Sequence, residues 1–421
     1  MIVWVISFLW LFCNVGNSYY FWLKSADNTP ENIVNIEKTL NVHLPIVSFI
    51  FDPREESDVL NSVDKIVDQL WTDRIYHFTV SPDKYSAEDV VMWKFDNQYR
   101  AFFKKVKEKN LHVIFRTMHE MNGWRYARSS NPDKFKAAWI HVWTLSRLEW
   151  LDQENIVFDF SVNHRDMPTN EEPSQSASLI ECRVWKTNCW HFEDYYPWDE
   201  FVDVVGFTFY NWGKSNSNRQ WLSPEEILYD KNRNTYERVY SFNKPVIIDE
   251  VATTAVRYTW NYNYSKSREE YLSNDENKDY WLSQLQDFLN YRPEILAAIY
   301  FNTDYTHWLM FQVVWEADWA VVNLDDNKVY NWFRWIELFG EKDLTNILKT
   351  LFGVEQVNIN GNSMYISPSY AKEVKVIWWL LDKKFDSDTD KLEFVQKLQS
   401  MNFKSISIKK ALVALENIYN V

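Results

Sequence analysis

From Tyr19 to Phe301 the chain passes back and forth between short apolar runs and longer segments with a helical apolar period. The strand-like runs are residues 19–23, Ile46 to Phe51, Ile75 to Val80, the run opening at Leu111, Asn155 to Val162, Val202 to Tyr210, Val246 to Glu250 and Ile295 to Phe301. Helices are predicted from Pro30 to about Leu40, Glu56 to Leu70, Asp96 to Lys109, Pro132 to Glu149, Pro224 to Tyr240 and Asn277 to Leu289. The second shows the pattern well: Val59, Leu60, Val63, Ile66, Val67 and Leu70 share one face. Eight strands in alternation with helices predict an α/β fold with a parallel sheet closed into a (β/α)8 TIM barrel. The rival, an open doubly wound sheet, calls for a glycine-rich phosphate turn after the first strand, and the sequence has none there. A hydrophobic content of 46% is enough to fill such a core.

The barrel is expected to span residues 19–340. The segment MIVWVISFLWLF followed by Gly16 and Ser18 reads as a signal peptide over residues 1–18, which predicts a secreted or cell-surface protein with no membrane span once the signal is removed. Residues 341–421 form a small C-terminal region of unassigned role, with a hairpin around Asn358 to Asn362 and helices near 389–401 and 408–418. Cys182 and Cys189 lie in one loop-like segment, where they form either a bridge or two free thiols. The net charge of -14 is spread along the chain, which removes the electrostatic footprint of a nucleic-acid partner and suits a neutral polymer.

Seven glycines stand against 23 tryptophans. The usual glycine share is roughly 7%. Several tryptophans occupy places where chain geometry asks for glycine: Trp150 follows a helix at the C-cap, and Trp198 sits in the turn Pro197-Trp198-Asp199. We read this as a gene in which UGA encodes glycine, translated here with UGA as tryptophan. Exposed tryptophans are therefore not taken as sugar-stacking platforms.

The chemistry is expected at two strand ends. Strand four, LHVIFRTMHEMNGWRY, begins apolar and ends in Arg116, His119, Glu120 and Asn122 before Gly123. Strand seven ends in Glu250. In an eight-strand barrel these two strands face each other across the mouth, and two carboxylates flanking a glycosidic bond are the minimal equipment of a glycosidase. Period-two alternation puts Val246, Ile248 and Glu250 on one face and turns Asp249 the other way, toward a neighbouring helix. Strand five ends in Asn163 and His164, and Asn302 with Asp304 closes strand eight at the same mouth. His119-Glu120 has the start of the HExxH zinc signature, but position 123 is Gly, so no metal set is predicted and no cofactor is expected. No G-x-S-x-G elbow for serine hydrolysis is present.

Three segments together resemble landmarks of glycoside hydrolase family 26, the β-mannanase family that also contains β-glucanases and xylanases. They are Arg116-Thr117-Met118-His119-Glu120-Met121-Asn122-Gly123, Tyr196-Pro197-Trp198-Asp199 with Val202-Asp203-Val204-Val205-Gly206, and Lys244-Pro245-Val246-Ile247-Ile248-Asp249-Glu250. The resemblance covers residues 19–335. It implies a retaining endo-acting hydrolase of β-1,4-mannan or another polysaccharide or oligosaccharide, with Glu250 as nucleophile and Glu120 as general acid/base. Arg116 and His119 would buttress the acid/base and Tyr210 would orient the nucleophile. The chain departs from the family at Arg125, where an aromatic is usual, and in Val251-Ala252-Thr253 after the second glutamate. Those departures keep a second reading open, a non-catalytic carbohydrate-binding or surface protein on a degenerate barrel. A retaining mechanism calls for carboxyl groups about 5 to 5.5 Å apart.

Overall fold

The structure, a computed structural model, describes residues 21–25, 29–53, 56–72, 74–82, 84–123, 131–165, 190–213, 221–231, 233–254, 275–302, 309–310, 313–314, 322–323, 328–329, 341–359 and 362–366. Eight parallel strands close into a barrel in sequence order: β1 Phe21–Ser25, β2 Ile46–Phe51, β3 Ile75–Val80, β4 His112–Arg116, β5 Ile156–Asn163, β6 Val204–Asn211, β7 Val246–Thr253 and β8 Ile295–Asn302. The ring is completed by β1 pairing with β8, Leu23 opposite Tyr300. The (β/α)8 expectation is met.

The helices lie outside this ring: α1 Pro30–Leu40, α2 Glu56–Leu70, α3 Ala87–Val91, α4 Asp96–Glu108, α5 Pro132–Leu148, α6 Pro224–Leu228, α7 Thr235–Tyr240 and α8 Asp275–Asn290. Their starts are chemically marked. Asn131 accepts from the Lys134 amide ahead of Pro132, and Ser223 forms a capping box with Glu226. The single helix predicted over 224–240 is two, because Tyr229 leaves helical geometry and Asn234 enters the left-handed region at φ 44°. Helix α3, closed by its own Ser86–Asp89 box, is an element the period did not suggest because it is only five residues long.

Inside the barrel, period-two alternation stacks side chains in layers. Ile46, Ile75, Ile114, Val157, Val204 and Ile247 form one buried apolar layer. A further helix, α9 Glu341–Ile347, runs into a wide turn Leu348–Phe352, and Leu344, Ile347, Leu348, Leu351, Phe352 and Val354 pack on that layer. The front of the C-terminal region is thus the floor of the barrel, tied to it again by Gln153 donating to the Leu351 carbonyl at 2.8 Å. The predicted hairpin is present as β9 Glu355–Ile359 against β10 Asn362–Ile366. The proposed signal segment, both later cysteines, Trp124, Arg125, Asp304 and the helices expected near 389–401 and 408–418 lie outside the described residues. Among the described residues no helix is long and apolar enough to cross a membrane.

The tryptophan anomaly has a backbone counterpart. Trp71, Trp93, Trp150 and Trp198 have φ of 68°, 65°, 64° and 71°, a region that costs L-residues and suits glycine. After α5, Trp150 N–H donates to Arg147 O and Leu151 N–H to Ser146 O, the hydrogen-bond pair of a Schellman C-cap. The same pair recurs around Asn41 and Asn110, a residue type that suits the slot, and around Trp93. No burial offsets the strain, since the four indoles are 73%, 73%, 79% and 55% exposed. Trp139 and Trp281 are different: both are fully buried, and their indole N–H groups donate to Phe201 O and Leu222 O.

Candidate active site

Two residues above the apolar layer, the inward side chains turn polar. The next positions on β2 to β7 are Ser48, His77, Arg116, Asp159, Gly206 and Asp249, all inside the ring. Each charged or polar one of them is buried. One step higher come Ser161 and Thr208, and at the mouth Asn163 and Tyr210.

Glu250 reaches this mouth through an irregularity in β7. Thr208 pairs with Glu250 where regular register would bring Asp249, and the pairing with β8 also shifts between Ile248 and Val251. The expectation that Val246, Ile248 and Glu250 share a face is therefore corrected. Ile248 packs among the outer core residues, Ile247 belongs to the inner layer, and Asp249 points into the barrel rather than toward a helix. The bulge adds one residue and turns Glu250 inward as well.

The local backbone at β4 is equally unusual. Met118 and Glu120 have φ of 46° and 51°, and the Glu120 amide donates to Ser161 O while Gly123 N–H donates to Glu120 O. Positive φ at a bulky residue is held only where surroundings impose it. Here Asn122 clamps the neighbouring strand, its amide donating to Asn163 O and its side-chain oxygen accepting from Asn163 N, both at 2.8 Å.

The two carboxylates have different donors. Glu120 accepts from the Asn163 amide at 2.8 Å and from the Thr208 hydroxyl. Glu250 accepts from the Arg116 guanidinium at 2.5 Å and, on its other oxygen, from the Tyr210 hydroxyl. Arg116 is held by donating through Nε to Ser161 Oγ at 2.8 Å. Burial disfavours its charge, but the Glu250 and Asp249 carboxylates outweigh that and raise its pKa above the ordinary arginine value. Thr208 joins the pair, with its backbone opposite Glu250 and its hydroxyl on Glu120.

Of the predicted residues, Arg116, Glu120, Asn163, Tyr210 and Glu250 are brought into one hydrogen-bonded group, and Asn122 supports it. Arg116 contacts Glu250 rather than Glu120, so the expected buttress lies under the other carboxylate. His119 and Asn302 are buried near the same end of the barrel. Thr208, Ser161, His77 and Asp159 were missed, and Asp249 was turned outward. All but Thr208 and Ser161 are charged or titratable residues two positions beyond an inward apolar one, so counting by two from the apolar layer would have exposed them. Burial, together with the neighbouring Asp249 charge, holds Asp159 well above the usual carboxylate range. Burial opposes charge on His77, but Asp159 and Asp249 raise its pKa overall. A cleft of about 280 Å³ opens beside Tyr210, lined by His164, Arg165, Trp212, Leu222, Asp230 and Arg233 among others.

The molecule is thus a glycosidase-like (β/α)8 barrel, with buried Glu120 just beyond β4 and buried Glu250 in the upper half of β7. No protein-family model matches the chain. Endoglucanase H of Acetivibrio thermocellus is 24% identical over 190 residues, which is 43% of this chain and 18% of that protein. The chain therefore spans about a fifth of the length of the curated relative it matches. Among solved structures, the catalytic domain of Bacillus sp. JAMB-750 GH26 endo-β-1,4-mannanase is 14% identical, with 80% of this chain and 89% of that one covered at a TM-score of 0.49. The GH26 domain of a Prevotella bryantii endo-β-mannanase/endo-β-glucanase is 12% identical, covering 69% and 85% at 0.44. A Thermobacillus composti GH10 xylanase is 10% identical, covering 77% and 97% at 0.44. The barrel itself rests on its own strand pairing, independently of these likenesses.

Proposed function

We propose that the chain is a retaining, endo-acting β-glycoside hydrolase of the family 26 type, acting on β-1,4-mannan. The observation that carries this reading is the unequal provision for the two strand-end carboxylates. A guanidinium and a phenol on Glu250 stabilise its ionised form, as a nucleophile requires. Glu120 accepts from the Asn163 amide and the Thr208 hydroxyl, which hold its carboxyl at the mouth in position for proton transfer.

In the reaction, Glu250 attacks the anomeric carbon and the glycosidic bond breaks as Glu120 protonates the departing oxygen. A covalent glycosyl ester on Glu250 results. Glu120, now ionised, takes a proton from water, which attacks the anomeric carbon and releases Glu250 with retained configuration. Tyr210 fixes the rotamer of Glu250, and Asn163 and Thr208 that of Glu120. The similarity to a protein named an endoglucanase agrees with a β-glycan substrate, and the sequence landmarks favour mannan among these.

The test is hydrolysis of mannan, mixed-linkage glucan and xylan by the protein and by Glu120→Gln and Glu250→Gln, with the anomer first released read by NMR. The expected result is cleavage of mannan with the β anomer released first, and a fall in kcat of at least about 10²-fold in each variant. Unchanged rates in both variants would remove the catalytic assignment. Glycan binding without cleavage of any of the three polymers would establish the degenerate-barrel reading instead.

A further inference from the structure

Below the glutamate pair, the polar layer of the barrel contains a group of side chains for which the proposed hydrolysis has no use. His77 Nε2 lies 3.5 Å from Asp249 Oδ1 and 3.7 Å from Asp159 Oδ2. All three residues are fully buried, and one donor atom from each can be chosen so that all lie within 4.8 Å of one another. Among the described residues, His77 Nε2 and both oxygens of Asp159 and of Asp249 have no hydrogen-bond partner. Two buried carboxylates without hydrogen bonds are strongly unfavourable unless something neutralises them.

A shared proton and a shared cation are the two ways to do so, and the spacing separates them. A proton would draw the nitrogen and an oxygen to about 2.7 to 3.2 Å. Donors around a tetrahedral divalent ion at about 2.1 Å instead stand about 3.4 Å apart. The observed 3.5 and 3.7 Å fall on the second side. The imidazole is also set for it: Ser48 Oγ is 2.8 Å from His77 Nδ1, and when Nδ1–H donates to that hydroxyl, Nε2 turns its lone pair to the carboxylates. Charge agrees as well. Once ionised, Asp159, Asp249 and Glu250 would set three negative charges against the one positive charge of Arg116, whose Nε is 4.0 Å from Asp249 Oδ2, so one divalent ion would balance the group. Finally, Gly206 makes the room: a Cβ there would stand 1.9 Å from Asp249 Oδ2.

We propose that His77, Asp159 and Asp249 bind a divalent cation of the zinc class in the barrel interior, beneath the catalytic carboxylates. This departs from the sequence-based expectation of no metal. The ion would fix Asp249, the residue next to Glu250, and with it one side of Arg116. It is a structural site and takes no part in bond cleavage.

The experiment uses the full chain, unfolded in guanidinium with chelator and refolded with Zn2+, with Co2+ or without metal. Elemental analysis after gel filtration is expected to give one ion per chain. The Co2+ form is expected to show the visible absorption of a tetrahedral nitrogen and oxygen site, and the melting temperature to rise by several degrees over the metal-free form. His77→Gln and Asp159→Asn should lose both the ion and the spectrum. A wild-type protein that refolds metal-free, with the same melting temperature in all three conditions, would overturn the proposal and leave the group to shared protons. A Co2+ spectrum unchanged in His77→Gln would equally overturn it, placing the ion elsewhere. Should the variants fail to fold, metal content and anomalous scattering at the cluster in the wild type still decide.

Discussion

Trp71, Trp93, Trp150 and Trp198 sit in the left-handed region with their indoles in water, so each is strained without a packing return. Replacing any one by glycine is expected to stabilise the fold by about 1 kcal/mol, the relief of a left-handed L-residue, and distant replacements should add. Chemical denaturation of the four single variants and the quadruple variant measures this. Peptide mass spectrometry on the protein from its natural host should read glycine at these positions, whereas Trp139 and Trp281 should remain tryptophan. Tryptophan found at 150 and 198 would refute the codon reading. A second residue-scale expectation concerns Tyr210. Removing its hydroxyl as Tyr210→Phe takes a hydrogen bond from an ionised group, so kcat should fall about 10- to 100-fold. Steady-state kinetics should show KM little changed; a loss confined to KM would assign Tyr210 to substrate binding instead. At this scale much was legible, because Glu120, Asn163 and Glu250 are polar residues at the ends of apolar strands. Asp249 was misjudged because the count by two was taken back from Glu250 across the bulge and not up from Ile247.

At the scale of elements, the strands other than β4 and β7 were readable to within a residue or two because each inward-facing position is apolar at its lower end and the runs stop at turn chemistry, such as Asp52-Pro53 after β2. Helix α2 matched its expected bounds, Glu56–Leu70, since its apolar stripe is unbroken. The segment 224–240 was not, because six or so residues of continuing apolar period hide a left-handed turn at Asn234. The role of α9 was hidden for another reason. Its partners are spread along the whole barrel, from Ile46 to Ile299, and no local pattern announces contacts so scattered in the chain. Leu351→Ala, which opens a hole under the barrel, is expected to cost about 3 kcal/mol by urea unfolding. A change below about 0.5 kcal/mol would show that the C-terminal segment merely rests on the barrel.

For the whole molecule, the layers divide the barrel by height: an apolar floor, a charged middle and a hydrogen-bonded mouth. Arg116 joins the middle layer to the mouth, its Nε 4.0 Å from Asp249 Oδ2 and its Nη1 2.5 Å from Glu250 Oε1. The bulge in β7 is what makes this vertical arrangement possible. A regular strand is read in a frame of two, one residue inward and one outward, so adjacent residues never serve the same interior. At Asp249 and Glu250 the frame slips by one, and two consecutive carboxylates enter the barrel at different heights. Single-residue spacing, and not only side-chain identity, is therefore inherited information in this strand. A one-residue deletion there would bring β7 back into regular register with β6 and evict one of the two acids from the interior.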